Sequence, residues 1–484
     1  MTLHVQDLKA RVKEARPEEE AELLEEAARA LAEHRLESAD SDTEYQLLWL
    51  LLPLARHTGK LPRFKAELDR ALQLAGGRTD QLLALASLRA ELETQEGRYA
   101  AAEQTLRSSL QLASDVEDDR KGALLVKLGR VMVHQERYDQ AAELFAEVLP
   151  VVENGGHAPL AAACRFHLGN IALRQGRHAA ARTHHGQALA VRKGIGEPRA
   201  LCASLCALGA VSLAAGNYPQ ALTWFEKAET EARRADEMSD LAYALYGLGR
   251  TCSRLGDFTG AAPRLRSSLD IRKRIGDKEG QAISLLAVAE NTLRLGQPRK
   301  ALEEAKEAAF HLSLLSPSGT VGDAERLLGD ILVAQRKQNE ARRHLQTALD
   351  RHAKHGDPTA MAFDRAALLH LHLDWPVREE MEPLIDEVVE YLDGHPYPDL
   401  GERLDFEVWN ALEKLHQKGV HGGRVAERDK YLERAFKAVM RKTGYLDASH
   451  RHRFLFQVPE NDAILRAAGE KGLGDPGMGS VAVS

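Results

Sequence analysis

Histidine, cysteine and arginine are the residues of this chain whose spacing could support chemistry. The histidines cluster only as His184-His185, His370 with His372, and His450 with His452. A helical zinc hydrolase needs two histidines four residues apart with a catalytic glutamate beside the first, and no cluster has that form. Cys164, Cys202, Cys206 and Cys252 lie among Ala and Leu. Cys202 and Cys206 share a helix face but lack the further ligands of a zinc site, so all four read as small buried hydrophobes. There is no Gly-x-Ser-x-Gly turn, and no Gly-rich phosphate loop ends in Lys-Ser or Lys-Thr. The expectation is a protein that is not an enzyme and takes no cofactor or metal. Arginine points elsewhere: guanidinium groups at helical spacing bind carboxylates or phosphates through paired hydrogen bonds. That chemistry is recognition.

The arginines belong to a repeat. Leu-Gly recurs at Leu128-Gly129, Leu168-Gly169, Leu208-Gly209, Leu248-Gly249 and Leu328-Gly329, with Val288-Ala289 in the remaining place, a 40-residue period held over six units. Seven residues after each small residue comes a turn position: Glu136, Gly176, Gly216, Gly256, Gly296 and Arg336. An alanine follows at Ala141, Ala181, Ala221, Ala261, Ala301 and Ala341. Four residues later a larger side chain stands at Phe145, Phe225, Leu265 and Leu345, interrupted by His185 and Ala305. Spacings of three and four put these residues on one helix face. The small residue after Leu lets two antiparallel helices approach closely, and the turn glycines suit the left-handed backbone that ends a helix. Pro219 and Pro298 fit a first helical turn, whereas Pro263 lies deeper and is expected to shift a helix start or weaken it.

This pattern resembles the tetratricopeptide repeat, in the long 40-residue form of kinesin light chain, Pins-type scaffolds and bacterial regulators. The resemblance covers about Lys121 to Asp357. It implies an all-α, right-handed superhelical solenoid, here of about eight or nine helical pairs, with a helical C-terminal cap. Along the chain, 1–44 reads as an N-terminal helical cap and 45–118 as degenerate repeats, with Gly59 and Gly97 at turns. Six regular repeats fill 119–358, and 359–396 is a degenerate repeat broken at Trp375-Pro376. From Tyr397 the period stops. The segment 397–470 is a helical region carrying the apolar stripe Tyr431, Leu432, Ala435, Phe436, Val439 and Met440, and 471–484 is a disordered tail. Phe454-Leu455-Phe456 with Val458-Pro459-Glu460-Asn461 is similar to the end of large bacterial regulators that pair an ATPase with such repeats.

In the resembled family peptides lie against the first helix of each unit. Carried onto this sequence, the inward positions are Arg130 with His134, Asn170 with Arg174, Arg250 with Arg254, and Glu290 with Arg294. Phe166 and Tyr246 stand one turn earlier. The expected partner is a protein or peptide segment of acidic character, and the expected role a scaffold, adaptor or regulator. A peptide-gated regulator resembling the bacterial pheromone receptors is a second reading. A nucleic-acid-associated protein using residues 424–453, where nine Lys and Arg face four acids, is a third.

Composition agrees with the helical reading. Of 484 residues 44% are hydrophobic, 28% charged and only 5% aromatic, which excludes a disordered chain and favours helix. The net charge of -7 argues against a global nucleic-acid binder. No apolar run approaches the roughly 20 residues a membrane helix needs, and no signal-peptide core is present, so a bacterial cytoplasmic location without membrane contact is expected.

Overall fold

The computed structural model describes residues 2–15, 19–37, 40–58, 60–76, 79–113, 118–196, 198–314, 319–374, 376–395 and 400–473. Gly59, Trp375, Tyr397 and residues 474–484 of the expected tail lie outside them. Among the described residues there are 24 α-helices, two short 3-10 turns and no strand. The chain divides into two compact units, 1–171 and 172–484.

The first unit holds α1 (Thr2–Glu14), α2 (Glu20–Glu37), α3 (Ser41–His57), α4 (Lys65–Leu74), α5 (Thr79–Gln95), α6 (Tyr99–Leu112), α7 (Asp118–His134), α8 (Tyr138–Asn154) and most of α9 (Ala158–Arg174). Its apolar interior falls into two parts. Leu8, Leu24, Leu48, Leu51 and Leu68 form one beneath α1 to α4. Leu106, Leu128, Phe145 and Ile171 belong to the other, under α6 to α9.

The second unit continues the pairing with α10 (His178–Ile195), α11 (Pro198–Ala214), α12 (Tyr218–Arg234), α13 (Met238–Arg254), α14 (Phe258–Ile275), α15 (Lys278–Arg294) and α16 (Pro298–Ser313). Then come α17 (Gly319–Ala334), α18 (Gln338–His355), α19 (Pro358–His372), α20 (Arg378–Gly394), α21 (Gly401–Gln417), α22 (Arg428–Thr443), α23 (Ala448–Phe456) and α24 (Pro459–Glu470). From α11 to α21 each helix packs on the next in sequence. The all-α reading of paired helices is what the structure shows.

The small residue after Leu does what its spacing implied. A Cβ on Gly209 would stand 2.8 Å from the Phe225 ring, and one on Gly249 2.6 Å from Leu265 Cδ2. In the first unit Gly129 faces Phe145 in the same way, at 2.6 Å from Cζ. Each pair is 16 residues apart, one on the first helix of a repeat and one on the second. The exception explains itself: where the small residue is Ala289, its partner has shrunk to Ala305, and both are fully buried. A methyl gained on one helix is matched by a side chain lost on the other.

All six turn positions are left-handed, with φ from 60° at Glu136 to 82° at Gly256. Glu136 and Arg336 adopt φ of 60° and 62° with a Cβ attached, which L-residues avoid by roughly 1–2 kcal/mol. Arg336→Gly is therefore expected to raise stability by about 1 kcal/mol in urea unfolding, less what the freer unfolded chain takes back. A lower midpoint would refute that account. Pro263 does not shift its helix. It stays inside α14, which begins at Phe258, and the Arg264 guanidinium donates to the Gly260 carbonyl at 2.8 Å in that first turn.

Beyond α20 the repeat gives way to a cap. Leu404, Trp409, Tyr431, Val439, Phe454 and Ile464 build an interior that also takes in Tyr218 and Leu255, from the turns of two repeats. Thus α21 and α22 pair and stack on α19 and α20, and the interior they share with α23 and α24 also meets the turns of two earlier repeats. Lys442 runs beneath Gly216, whose added Cβ would lie 3.0 Å from Lys442 Cε, and its Nζ reaches Glu402 at 2.6 Å. Burial of that pair is tolerable because each charge neutralises the other.

Candidate functional site

The inward positions of the first helices were the candidates, and they divide between the two units. In the first unit Arg130 and His134 lie exposed along α7, with the His134 ring stacked on Tyr99 at 5.3 Å. Phe166 and Asn170 on α9 are half-buried, and the Phe166 ring meets His167 edge-on at 5.6 Å.

In the second unit Arg174 ends α9 and is exposed, while the remaining five residues gather on α13 and α15. Tyr246 is half-buried and is flanked by two guanidiniums. Arg250, one turn on, has its guanidinium carbon 5.8 Å from the ring centre and donates to the phenol oxygen at 3.1 Å. Arg272, from α14, lies 5.4 Å from the same ring. Tyr243 is 42% exposed and sits 6.4 Å from Tyr246, ring to ring. Arg272 is buried and engaged within the chain, donating to the Gly280 carbonyl at 2.7 Å and lying 3.9 Å from Asp277.

One repeat further, Arg254 approaches Glu290 at 3.9 Å. Burial opposes ionisation of Glu290, but Arg250, Arg254, Arg294 and Arg403 overcome it and hold the carboxyl at about 2. Such a carboxylate stays charged throughout the physiological range. Arg294 makes a two-pronged contact with Glu460 of α24, at 3.0 and 2.6 Å, and Arg403 of α21 joins at 3.2 Å. Burial again works against the Glu460 charge, and Arg403 and Arg294 bring the carboxyl to about 2. Beyond them, burial pushes the Asp330 carboxyl up, against the pull of Arg403, Arg326 and Arg294. Four guanidiniums therefore surround Glu290, and two of them, Arg294 and Arg403, also hold Glu460. A cavity of about 30 Å³ is left between the wall and the cap, lined by Arg254, Glu290, Arg294, Arg403, Glu460 and Asn461.

Glu460 and Arg403 join this cluster of charges without being revealed by the repeat pattern. Neither lies on the 40-residue register, and Glu460 is 166 residues from Arg294 in sequence. The only signal was the Val458-Pro459-Glu460-Asn461 stretch, which marks a helix start because proline fits the first helical turn and a carboxylate suits it.

The basic stretch 424–453 is largely neutralised within the chain. Seven of its nine Lys and Arg pair with carboxylates, among them Arg428 with Glu413, Lys442 with Glu402 and Arg453 with Asp257. Cations engaged this way contribute less to phosphate binding. Among the described residues no three His, Cys, Asp or Glu gather as metal ligands would, and no helix is long and apolar enough to cross a membrane.

A family model described as "Tetratricopeptide repeat" matches residues 81–154, 120–194, 160–230, 199–274 and 240–309 in overlapping pairs of repeats. No curated protein matches the sequence. Among solved structures, a Rap protein complexed with Competence and Sporulation Factor is 13% identical, with 81% of this chain and 99% of that one aligned at a TM-score of 0.54. The apo quorum sensor NprR from B. thuringiensis is 15% identical over 73% of this chain and 97% of its own, at 0.53. A STAND protein with a tetratricopeptide repeat sensor from Pyrococcus horikoshii is 14% identical at 0.50, over 77% of this chain but only 56% of its own length. At these identities the likeness is one of fold.

Proposed function

We propose that this chain, whose residues 81–309 are tetratricopeptide repeats, is a binding protein that takes an acidic segment of a partner against the arginine wall of α13 and α15. The observation that carries this reading is Glu460. A carboxylate in the first turn of a helix already sits between Arg294 and Arg403, with the geometry a partner's carboxylate would need. Arg250 beside Tyr246, with the exposed Tyr243 next to it, extends the same chemistry along α13. Aromatic rings and arginines together are the side chains that carry most binding energy at protein interfaces. The function is recognition, with the partner's acidity read by guanidiniums and its register by the aromatic pair.

A second reading is a regulator whose ligand is a short peptide. It is favoured by the fold shared with the Rap protein, whose structure holds Competence and Sporulation Factor. Both readings place the ligand on the same wall.

The test is binding of a fluorescein-labelled Glu-rich peptide to the full chain, compared with Arg250→Gln/Arg254→Gln. Affinity is expected to fall at least tenfold in the double variant, and to fall in the parent as salt rises. Circular dichroism should show the same helicity in both proteins. Equal affinity for the two would overturn the reading.

A further inference from the structure

Glu460 belongs to this chain, so the wall that would receive a partner already has an occupant. The contacts between the last helices and the repeats are concentrated in a few residues. Glu460 is held by Arg294 and Arg403. Arg453 pairs with Asp257 at 3.3 Å, and its carbonyl lies over Gly256 so closely that an added Cβ there would be 2.8 Å away. The Phe454 ring sits 5.7 Å from that of Tyr218, which opens α12. Asn461 then donates its side-chain amide to the Phe454 carbonyl at 2.8 Å, tying α24 to α23. The segment 453–461 is thus a compact ligand with a basic end, an aromatic anchor and an acidic end.

We infer that α23 and α24 are an internal ligand of the arginine wall, so that an acidic partner reaches Arg294 only by displacing Glu460. This inference rests on the acidic-segment reading above and adds its regulation.

The segment touches the repeats at one end and rests on α22 at the other, where Ile464 and Ala467 enter the apolar interior. It is joined to α22 through Gly444, Tyr445, Leu446 and Asp447, and Asp447 caps α23 by accepting from the His450 N–H at 2.9 Å. Its helical start is therefore satisfied locally and does not depend on the wall. Exchanging one carboxylate for another between Arg294 and Arg403 changes the polar contacts little. What the partner must supply in addition is a substitute for Phe454 against Tyr218, while Leu455, Ile464 and Ala467, buried in the interior, set how firmly the segment is seated. The wall accordingly fits a segment with a large apolar or aromatic side chain about six residues before a carboxylate, the spacing of Phe454 and Glu460. While the segment is seated, partner affinity is reduced in proportion to the small fraction of molecules in which it is not.

The experiment uses the full chain and a labelled synthetic peptide with the sequence of residues 452–466. The Glu460→Ala chain is expected to bind this peptide at least tenfold more tightly than the parent, and Arg453→Ala, at a half-buried position, to shift affinity the same way. A peptide with alanine in place of its glutamate should bind neither. Hydrogen exchange of residues 459–470 in the parent should quicken on adding the peptide. Equal peptide affinity for parent and Glu460→Ala overturns the inference, as does unchanged protection of α24 at saturating peptide. Absence of binding to the Glu460→Ala chain also overturns it. The acidic-segment reading then stands or falls separately on the Arg250→Gln/Arg254→Gln comparison.

Discussion

Phe225→Ala is expected to destabilise the second unit by about 4 kcal/mol, and Gly209→Ala, harmful in the parent, to become neutral or stabilising in its presence. Phe225 lies on α12, 1% exposed, with glycines of two successive first helices against its ring, Gly209 from α11 and Gly247 from α13. Truncating it leaves a cavity that neither neighbouring backbone can collapse to fill. In the parent, a methyl on Gly209 would push into the ring at 2.8 Å, costing about 1–3 kcal/mol of overpacking against the roughly 1 kcal/mol that alanine gains in a helix. Without the ring the methyl has room, and only the helical gain remains. The chain carries a version of the doubly substituted pair in Ala289 with Ala305, both fully buried. Urea unfolding of the parent, the two single variants and the double variant measures the coupling directly. Coupling of 2 kcal/mol or more is expected, and strictly additive effects would mean that the pair is not in contact in solution.

That pairing also shows how far the sequence could be read. The 40-residue register, the small residue and the large one 16 positions later were all legible because repetition turns one packing solution into many statements of it. Ala305 looked like an interruption, since a sequence read position by position does not show that Ala289 faces it. The arginines of α13 and α15 could be placed on their helices for the same reason as the core: they sit at fixed offsets from Leu-Gly. Arg403 and Glu460 could not, because the cap has no period. The residues it brings to Arg294 are fixed by where α21 and α24 come to lie, which is a property of tertiary packing alone. Likewise, the basic excess of 424–453 is plain in the composition. Its neutralisation by Glu402, Glu413 and Asp257 appears only when the helices are assembled.

His185 leads to the second large effect, a stability that depends on pH. It occupies on α10 the place that Phe225 occupies on α12, and it is fully buried. Burial, with the positive charge of Arg192 and of His184 nearby, lowers its pKa from 6.5 to about 4. The folded protein therefore binds fewer protons at this site than the unfolded chain does between those two values. Where the unfolded state binds more protons, stability rises with pH, so this histidine's penalty is absent above about pH 6.5 and grows as pH falls toward 4. The shift corresponds to a loss of about 2 kcal/mol by pH 5 and about 3 kcal/mol by pH 4. His185→Phe replaces the imidazole with the side chain the repeat uses elsewhere and removes the proton. The variant should exceed the parent in stability by a margin that widens from pH 7 to pH 5, following the titration of one histidine in the unfolded chain. Other groups also titrate there, Asp240 with its carboxyl raised by burial to about 6 among them. They are common to both proteins and cancel in the difference. A margin constant from pH 7 to pH 4 would mean that His185 becomes protonated as readily in the folded protein as in the unfolded one. It would then have to reach solvent or an acceptor by a local opening of α10.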